Sequence, residues 1–170
     1  ISADKQMVFL SGPRQTGKTT FARDAAQSFT NSLYFNWDVI SHKRQLVENP
    51  YFFTEITRKD SSQPLIIFDE IHKYSDWKNY LKGVYDGHSS DYKFLVSGSG
   101  RLDLYQKHGD SLAGRYFQMH MFPFTLAELS KARRKFSAFA RAPLADFDLN
   151  NSSESAALLE TLLRVCGFPE

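Results

Sequence analysis

The stretch that most constrains the fold is Gly12-Pro13-Arg14-Gln15-Thr16-Gly17-Lys18-Thr19-Thr20. A short apolar run, Met7-Val8-Phe9-Leu10, precedes it, and Thr20 to Ala26 reads as a helix. Strand, glycine-bounded loop, Lys-Thr and helix form the context that a phosphate-binding loop of the Walker A type requires. Glycine lets the backbone curl so that successive N–H groups face one concavity. A helix starting near Gly17 adds its unpaired N–H groups and the positive end of its dipole. In that setting Lys18 reaches the β- and γ-phosphates of a nucleotide, and the Thr19 hydroxyl ligates Mg2+. A chance match in an ordinary strand–helix turn is the competing reading, and the flanking strand and helix argue against it.

The second signal is Leu65-Ile66-Ile67-Phe68-Asp69-Glu70, four bulky apolar residues ending in two acids. A buried strand delivers its last residues to the rim of an open α/β sheet, where ligands bind. There Asp69 can hold Mg2+ through water, and Glu70 can orient a hydrolytic water. Ser97 and Ser99 follow another apolar run, Tyr92 to Val96, and either hydroxyl could sense the γ-phosphate. Arg115 is open to two readings: an arginine finger, in cis or across a subunit boundary, or a surface arginine paired with a carboxylate.

Around these signals strands are expected at 6–11, 33–38, 65–70, 92–97 and 116–122. The first helix carries Phe21, Ala25 and Phe29 as a buried stripe. Residues 41–58 read as helical, split by Pro50, with Leu46 and Val47 on one apolar face. Ser75-Asp76 can cap a helix that ends at Asp86-Gly87. Residues 102–108 suggest a short helix. In the fifth strand Phe117, Met119 and Met121 share one side and Gln118 and His120 the other, as in a half-buried edge strand. Thr125 can cap a helix with Leu126, Leu129 and Ala132 inward, residues 146–155 read as a linker, and 156–165 as a last helix. A basic cluster, Lys131, Arg133, Arg134 and Lys135, reads as a solvated helix face.

Composition excludes little but sets some bounds. A net charge of +2 over 170 residues gives no strong field for a polyanion, so nucleic acid is not an expected partner. The single cysteine, Cys166, suits a reducing, cytoplasmic setting, and no apolar run is long enough to span a bilayer. The chain opens on Ile1 and stops at Glu170 without a tail, which suggests a piece of a longer protein.

The unit at residues 33–60, between the loop and the acidic strand, resembles the branch of P-loop ATPases that has an additional strand and a catalytic glutamate. That likeness implies an α/β P-loop NTPase with a five-stranded, mainly parallel sheet ordered 5-1-4-3-2 and helices on both faces. The resemblance sharpens with Phe68-Asp69-Glu70-Ile71-His72-Lys73 and Asp76-Trp77, Ser97-Gly98-Ser99, Leu112-Ala113-Gly114-Arg115, Phe122-Pro123-Phe124 with Glu128, and Gly167-Phe168-Pro169-Glu170. Together these resemble a prokaryotic AAA-type ATPase family, akin to the archaeal ATPases of the signal-transducing NTPase class. Cys166 and Gly100 depart from the pattern, standing where a second glycine and a small hydroxyl residue are expected.

The resemblance implies an ATPase core at 1–124 and a helical extension at 125–170 leading toward a further C-terminal domain. It implies ATP and Mg2+ as ligands and a protein partner, or that further domain, as what the nucleotide controls. The loop residues Gly12 to Thr20 are expected to bind nucleotide and Thr19 and Asp69 the metal. Glu70, Lys18, Arg115, Ser97 and Ser99 are the expected catalytic set. A nucleotide-binding interaction module without turnover, and a small-molecule phosphotransferase, are the alternatives.

Overall fold

A strand whose every residue is buried needs cover on both sides. In the computed structural model, β1 (Met7–Ser11) and β3 (Leu65–Asp69) are buried throughout. With β2 (Ser32–Asn36), β4 (Lys93–Ser97) and β5 (Tyr116–His120) they form one sheet ordered β2-β3-β4-β1-β5. Every pairing is parallel. Read from the other edge, this is the order 5-1-4-3-2 that the family likeness implies. The structure describes residues 7–99, 112–125, 128 and 152–165. They fall into two units, Ile1–Met121 and Phe122–Glu170.

Period-two alternation sorts the strand side chains into two cores. Met7, Phe9, Ile66, Phe68, Phe94 and Val96 face one cluster, closed by Leu46 of α2 (Ile40–Glu48), Phe52 and Phe53, and Trp77, Leu81 and Val84 of α3 (Trp77–His88). Val8, Leu10, Leu65, Ile67 and Leu95 face the other, closed by Ala22, Ala25, Ala26 and Phe29 of and beyond α1 (Lys18–Gln27). Helices thus lie on both faces.

Several boundaries and faces differ from expectation. The buried side of α1 is Lys18, Ala22, Ala25 and Phe29, while Phe21 is 45% exposed. The helix starts at Lys18, and that start sets its phase, so Phe21 is rotated off the sheet. Val47 is exposed on α2, and beyond Pro50 only a single 3-10 turn, Phe52–Glu55, is helical. Strand β2 stops at Asn36, leaving Asp38 in a turn. Gly87 does not end α3, which runs on to His88. On β5 the alternation holds but its sense is reversed: Phe117 and Met119 are exposed, and Gln118 and His120 turn toward the Ser11 hydroxyl. Met121 alone of the apolar three packs on a core.

In the second unit, Thr125 and Glu128 form a reciprocal cap. The Thr125 N–H and hydroxyl donate to Glu128 Oε2 at 2.8 and 2.9 Å, and the Glu128 N–H returns a bond to Thr125 Oγ1 at 3.3 Å. Those bonds from Thr125 hold the Glu128 carboxyl below its ordinary range. The last helix, α4 (Ser152–Val165), begins inside the expected linker. The expected helix at 102–108, the inward Leu126, Leu129 and Ala132, the basic cluster at 131–135, and Gly100, Cys166 and the 167–170 motif lie outside the described residues. No helix among the described residues is long and apolar enough to cross a membrane.

Phe53 anchors the larger core. It is fully buried, and its ring meets Phe68, Tyr92 and Phe94 edge-on at 6.2, 5.3 and 5.8 Å. Phe53→Ala is expected to cost about 3–5 kcal/mol in denaturant unfolding; a loss below about 1 kcal/mol would show that this cluster does not hold the sheet.

Candidate nucleotide site

The site is built by strands that end together. Parallel register sets Asn36 beside Asp69 and Asp69 beside Ser97. All three therefore emerge at the carboxyl edge on the α1 face, where β1 hands the chain to Gly12. Adjacent strands lie roughly 4.8 Å apart, close enough for these side chains to meet.

Gly12 and Gly17 make the loop possible. Gly12 has φ 150° and Gly17 φ 88°, both in the region that favours glycine. A Cβ on Gly12 would stand 2.1 Å from the Met121 carbonyl oxygen. Pro13, Arg14 and Gln15 are exposed, Gln15 with φ 63°, and Thr16 is buried with its hydroxyl donating to the Pro13 carbonyl at 3.0 Å. No side chain caps the first turn of α1, and no acid lies in it. Its N–H groups and dipole face the loop and suit an anion. Thr20 sits exposed on that turn.

Lys18 is 7% exposed. Its Nζ donates to the Pro13 carbonyl and, at 3.4 Å, to Thr16 Oγ1. Burial lowers its pKa, and the charges of Glu70 and Asp69 oppose that shift. The ammonium and both acids therefore share one edge of the sheet.

Asp69 is 1% exposed, and four donors converge on it. Ser97 Oγ donates to Oδ1 at 2.5 Å; Thr19 Oγ1, Tyr34 OH and Asn36 Nδ2 donate to Oδ2 at 2.9, 2.6 and 3.2 Å. Polar atoms buried away from water need such hydrogen-bond partners. Glu70 has φ 57°, and this left-handed step turns the chain out of β3 into a 3-10 turn, Ile71–Lys73. Its carboxylate lies 2.9 Å from Lys73 Nζ and 3.8 Å from His72 Nε2. Lys73 also bonds Asp38 at 2.6 Å. Burial works against the Lys73 ammonium, but the bonds to Asp38 and Glu70 prevail and raise its pKa. Ser99 Oγ meets His72 Nε2 at 3.2 Å, so the two candidate serines have different partners, Ser97 the Asp69 carboxylate and Ser99 the His72 ring.

Arg115 does not join this group. It precedes β5, and its carbonyl accepts from the Met7 N–H at the amino end of β1. Its guanidinium bonds Asp86 at 2.7 and 3.2 Å. The phosphate loop lies a strand's length away, on the order of 13 Å. Of the two readings of Arg115, its observed surroundings are those of an arginine paired with a carboxylate.

Tyr34, Asn36 and His72 are site residues that sequence reading missed. Tyr34 and Asn36 stand two apart in a strand and so share a face, but only the register with β3 shows that the face looks onto Asp69.

The fit to Mg-nucleotide can be judged from these groups. Mg2+ takes hard oxygen ligands and is commonly held by one or two protein groups plus phosphates. The Thr19 hydroxyl and Asp69 carboxylate provide such oxygens beside a buried cation and a loop too tight for a Cβ. Gly12→Ala is expected to destabilise the chain by at least about 2 kcal/mol in thermal or denaturant unfolding, from the clash and the forced φ. An unchanged midpoint would mean the loop does not pack against Met121 as described.

The comparisons with known proteins bear on the same region. The model of the AAA domain family matches residues 4–130. None of the curated proteins compared matches significantly. Among solved structures, the fold is similar to Drosophila ORC bound to DNA (TM-score 0.55, 11% identity, 95% of this chain and 52% of that one). It is similar also to the Aeropyrum pernix ORC1 protein in complex with DNA (TM-score 0.50, 14% identity, 95% and 53%) and to C. elegans PCH-2 (TM-score 0.50, 17% identity, 82% and 41%). At these identities the likeness is one of fold, and the chain spans about half the length of those solved chains or less. With the family model covering well over half of its residues, the chain belongs to the AAA domain family of nucleotide-binding ATPases.

Proposed function

We propose that this chain binds ATP with Mg2+ and hydrolyses it, using the nucleotide as a switch for an attached domain or a partner. The observation that carries the reading is the meeting of Thr19 and Asp69 at 2.9 Å on the edge that also holds the Lys18 ammonium. Loop N–H groups from Gly12 to Thr20 cradle the phosphates. Lys18 exchanges its bond to the Pro13 carbonyl for phosphate oxygen, a charge-assisted partner. Thr19 and Asp69 hold Mg2+, which when bound neutralises phosphate charge and orients the γ-phosphate. Glu70 orients the attacking water. Ser97 aims Asp69, and Ser99, beside His72, is the serine left to sense the γ-phosphate. Arg115, at the opposite edge, can act only on a neighbouring subunit's nucleotide.

One observation favours the reading without turnover. The Glu70 carboxylate is engaged by the Lys73 ammonium at 2.9 Å and so is not free to reach a water. Activity then requires Glu70 to leave Lys73. No observation among the described residues adds support to the phosphotransferase reading. The solved structures similar in fold include two bound to DNA; the net charge of +2 does not favour that role here.

Two variants separate binding from chemistry. Lys18→Ala is expected to abolish ATP binding in calorimetric titration; undiminished affinity would refute the loop assignment. Glu70→Gln is expected to bind ATP normally and to release phosphate about 10²–10⁴ times more slowly. Release at the wild-type rate would remove Glu70 from the reaction.

A further inference from the structure

Tyr34 stands outside every motif that identifies the site, yet its phenol makes the shortest contact to Asp69 Oδ2, at 2.6 Å. Its oxygen in turn accepts from Asn36 Nδ2 at 3.1 Å, and the same amide reaches Asp69 Oδ2 at 3.2 Å. The amide, phenol and carboxylate thus form a closed triangle at the end of β2. The Arg23 guanidinium of α1 lies over the ring, 5.1 Å from its centroid. Burial, followed by the bond to Asp69, raises the phenol's pKa, so it remains a donor.

Thr19 donates to the same Oδ2 at 2.9 Å, whereas Oδ1 is engaged by Ser97. The oxygen that faces Thr19 is therefore the one whose position Tyr34 fixes. We propose that Tyr34 is a positioning residue for Mg2+: its hydroxyl, backed by Asn36, locks the Asp69 carboxylate so that Thr19 and Asp69 present a preorganised pair of oxygens to the cation. The inference rests on the proposed function, since it assigns how the metal half of that site is tuned. The physical basis is general. Groups that hydrogen-bond a metal-binding carboxylate fix its rotation, and removing one commonly costs about 10–100-fold in metal affinity. A purely packing role would need only the ring, which Phe supplies equally well on this edge strand.

The test is a calorimetric titration of the 170-residue chain and of Tyr34→Phe with ATP, once in EDTA and once in Mg2+. Phe preserves the ring and its contact with Arg23. The wild-type chain is expected to bind ATP more tightly with Mg2+. In Tyr34→Phe the affinity in EDTA is expected to stay within about twofold, while the Mg2+-dependent gain falls about tenfold. The Mg2+ concentration for half-saturation of the ATP complex rises accordingly. An undiminished Mg2+-dependent gain overturns the proposal. So does an equal loss in EDTA and in Mg2+, which would mark Tyr34 as structural. A wild-type chain that binds ATP but gains nothing from Mg2+ overturns the metal assignment of Thr19 and Asp69, and this inference with it.

Discussion

The Asp69 carboxylate is the point on which the structure turns. A charge 1% exposed to solvent is tolerable only when donors surround it. Here the donors come from three elements besides its own: Thr19 on α1, Tyr34 and Asn36 on β2, and Ser97 on β4. Tyr34, Asn36 and Ser97 reach Asp69 because β2, β3 and β4 run parallel in one register and end together, and Thr19 because the loop after β1 starts α1 at that edge. The chemistry at the edge thus depends on the strand order, and the strand order depends on helices covering both apolar faces.

The loop imposes the second constraint. Gly12 lies against the Met121 carbonyl, and the Met121 N–H donates to the Ser11 carbonyl at 2.8 Å. The end of β5 is therefore stitched to the point where β1 becomes the loop. Ser11 adds side-chain bonds to His120 and Gln118 at 3.0 and 3.2 Å. This polar seam explains why β5 turns its polar side toward β1's hydroxyl and leaves Phe117 and Met119 exposed. An edge strand follows the partner it must bond, and periodicity alone does not tell which of its two faces is covered.

The legible parts were those fixed by local chemistry. Gly12, Gly17, Lys18 and Thr19 carry the loop in their own residue types, and the run Leu65–Phe68 before two acids announces a central strand. The strand order was reached through family likeness rather than periodicity. What could not be read was phase and register. Phe21, Ala25 and Phe29 look like a stripe, but burying the Lys18 stem with Ala22 rotates the helix so that Phe21 faces outward. Gly87 resembles a stop signal, yet nothing crowds that position and α3 passes through it. Tyr34 and Asn36 are ordinary strand residues until β2 is laid beside β3. Arg115 follows a suggestive motif, but parallel pairing of β5 with β1 carries it to the far end of the sheet.

The account predicts one arrangement above all: a triphosphate cupped by the loop with a divalent cation between Thr19 and Asp69. The most direct measurement is a crystal structure with a non-hydrolysable ATP analogue and Mg2+. The expected result is phosphate oxygen at the Lys18 ammonium and at the loop N–H groups, the cation at the Thr19 hydroxyl, and Tyr34 still bonded to Asp69. A nucleotide bound elsewhere on the chain, or a cation that avoids both Thr19 and Asp69, would contradict the central claim.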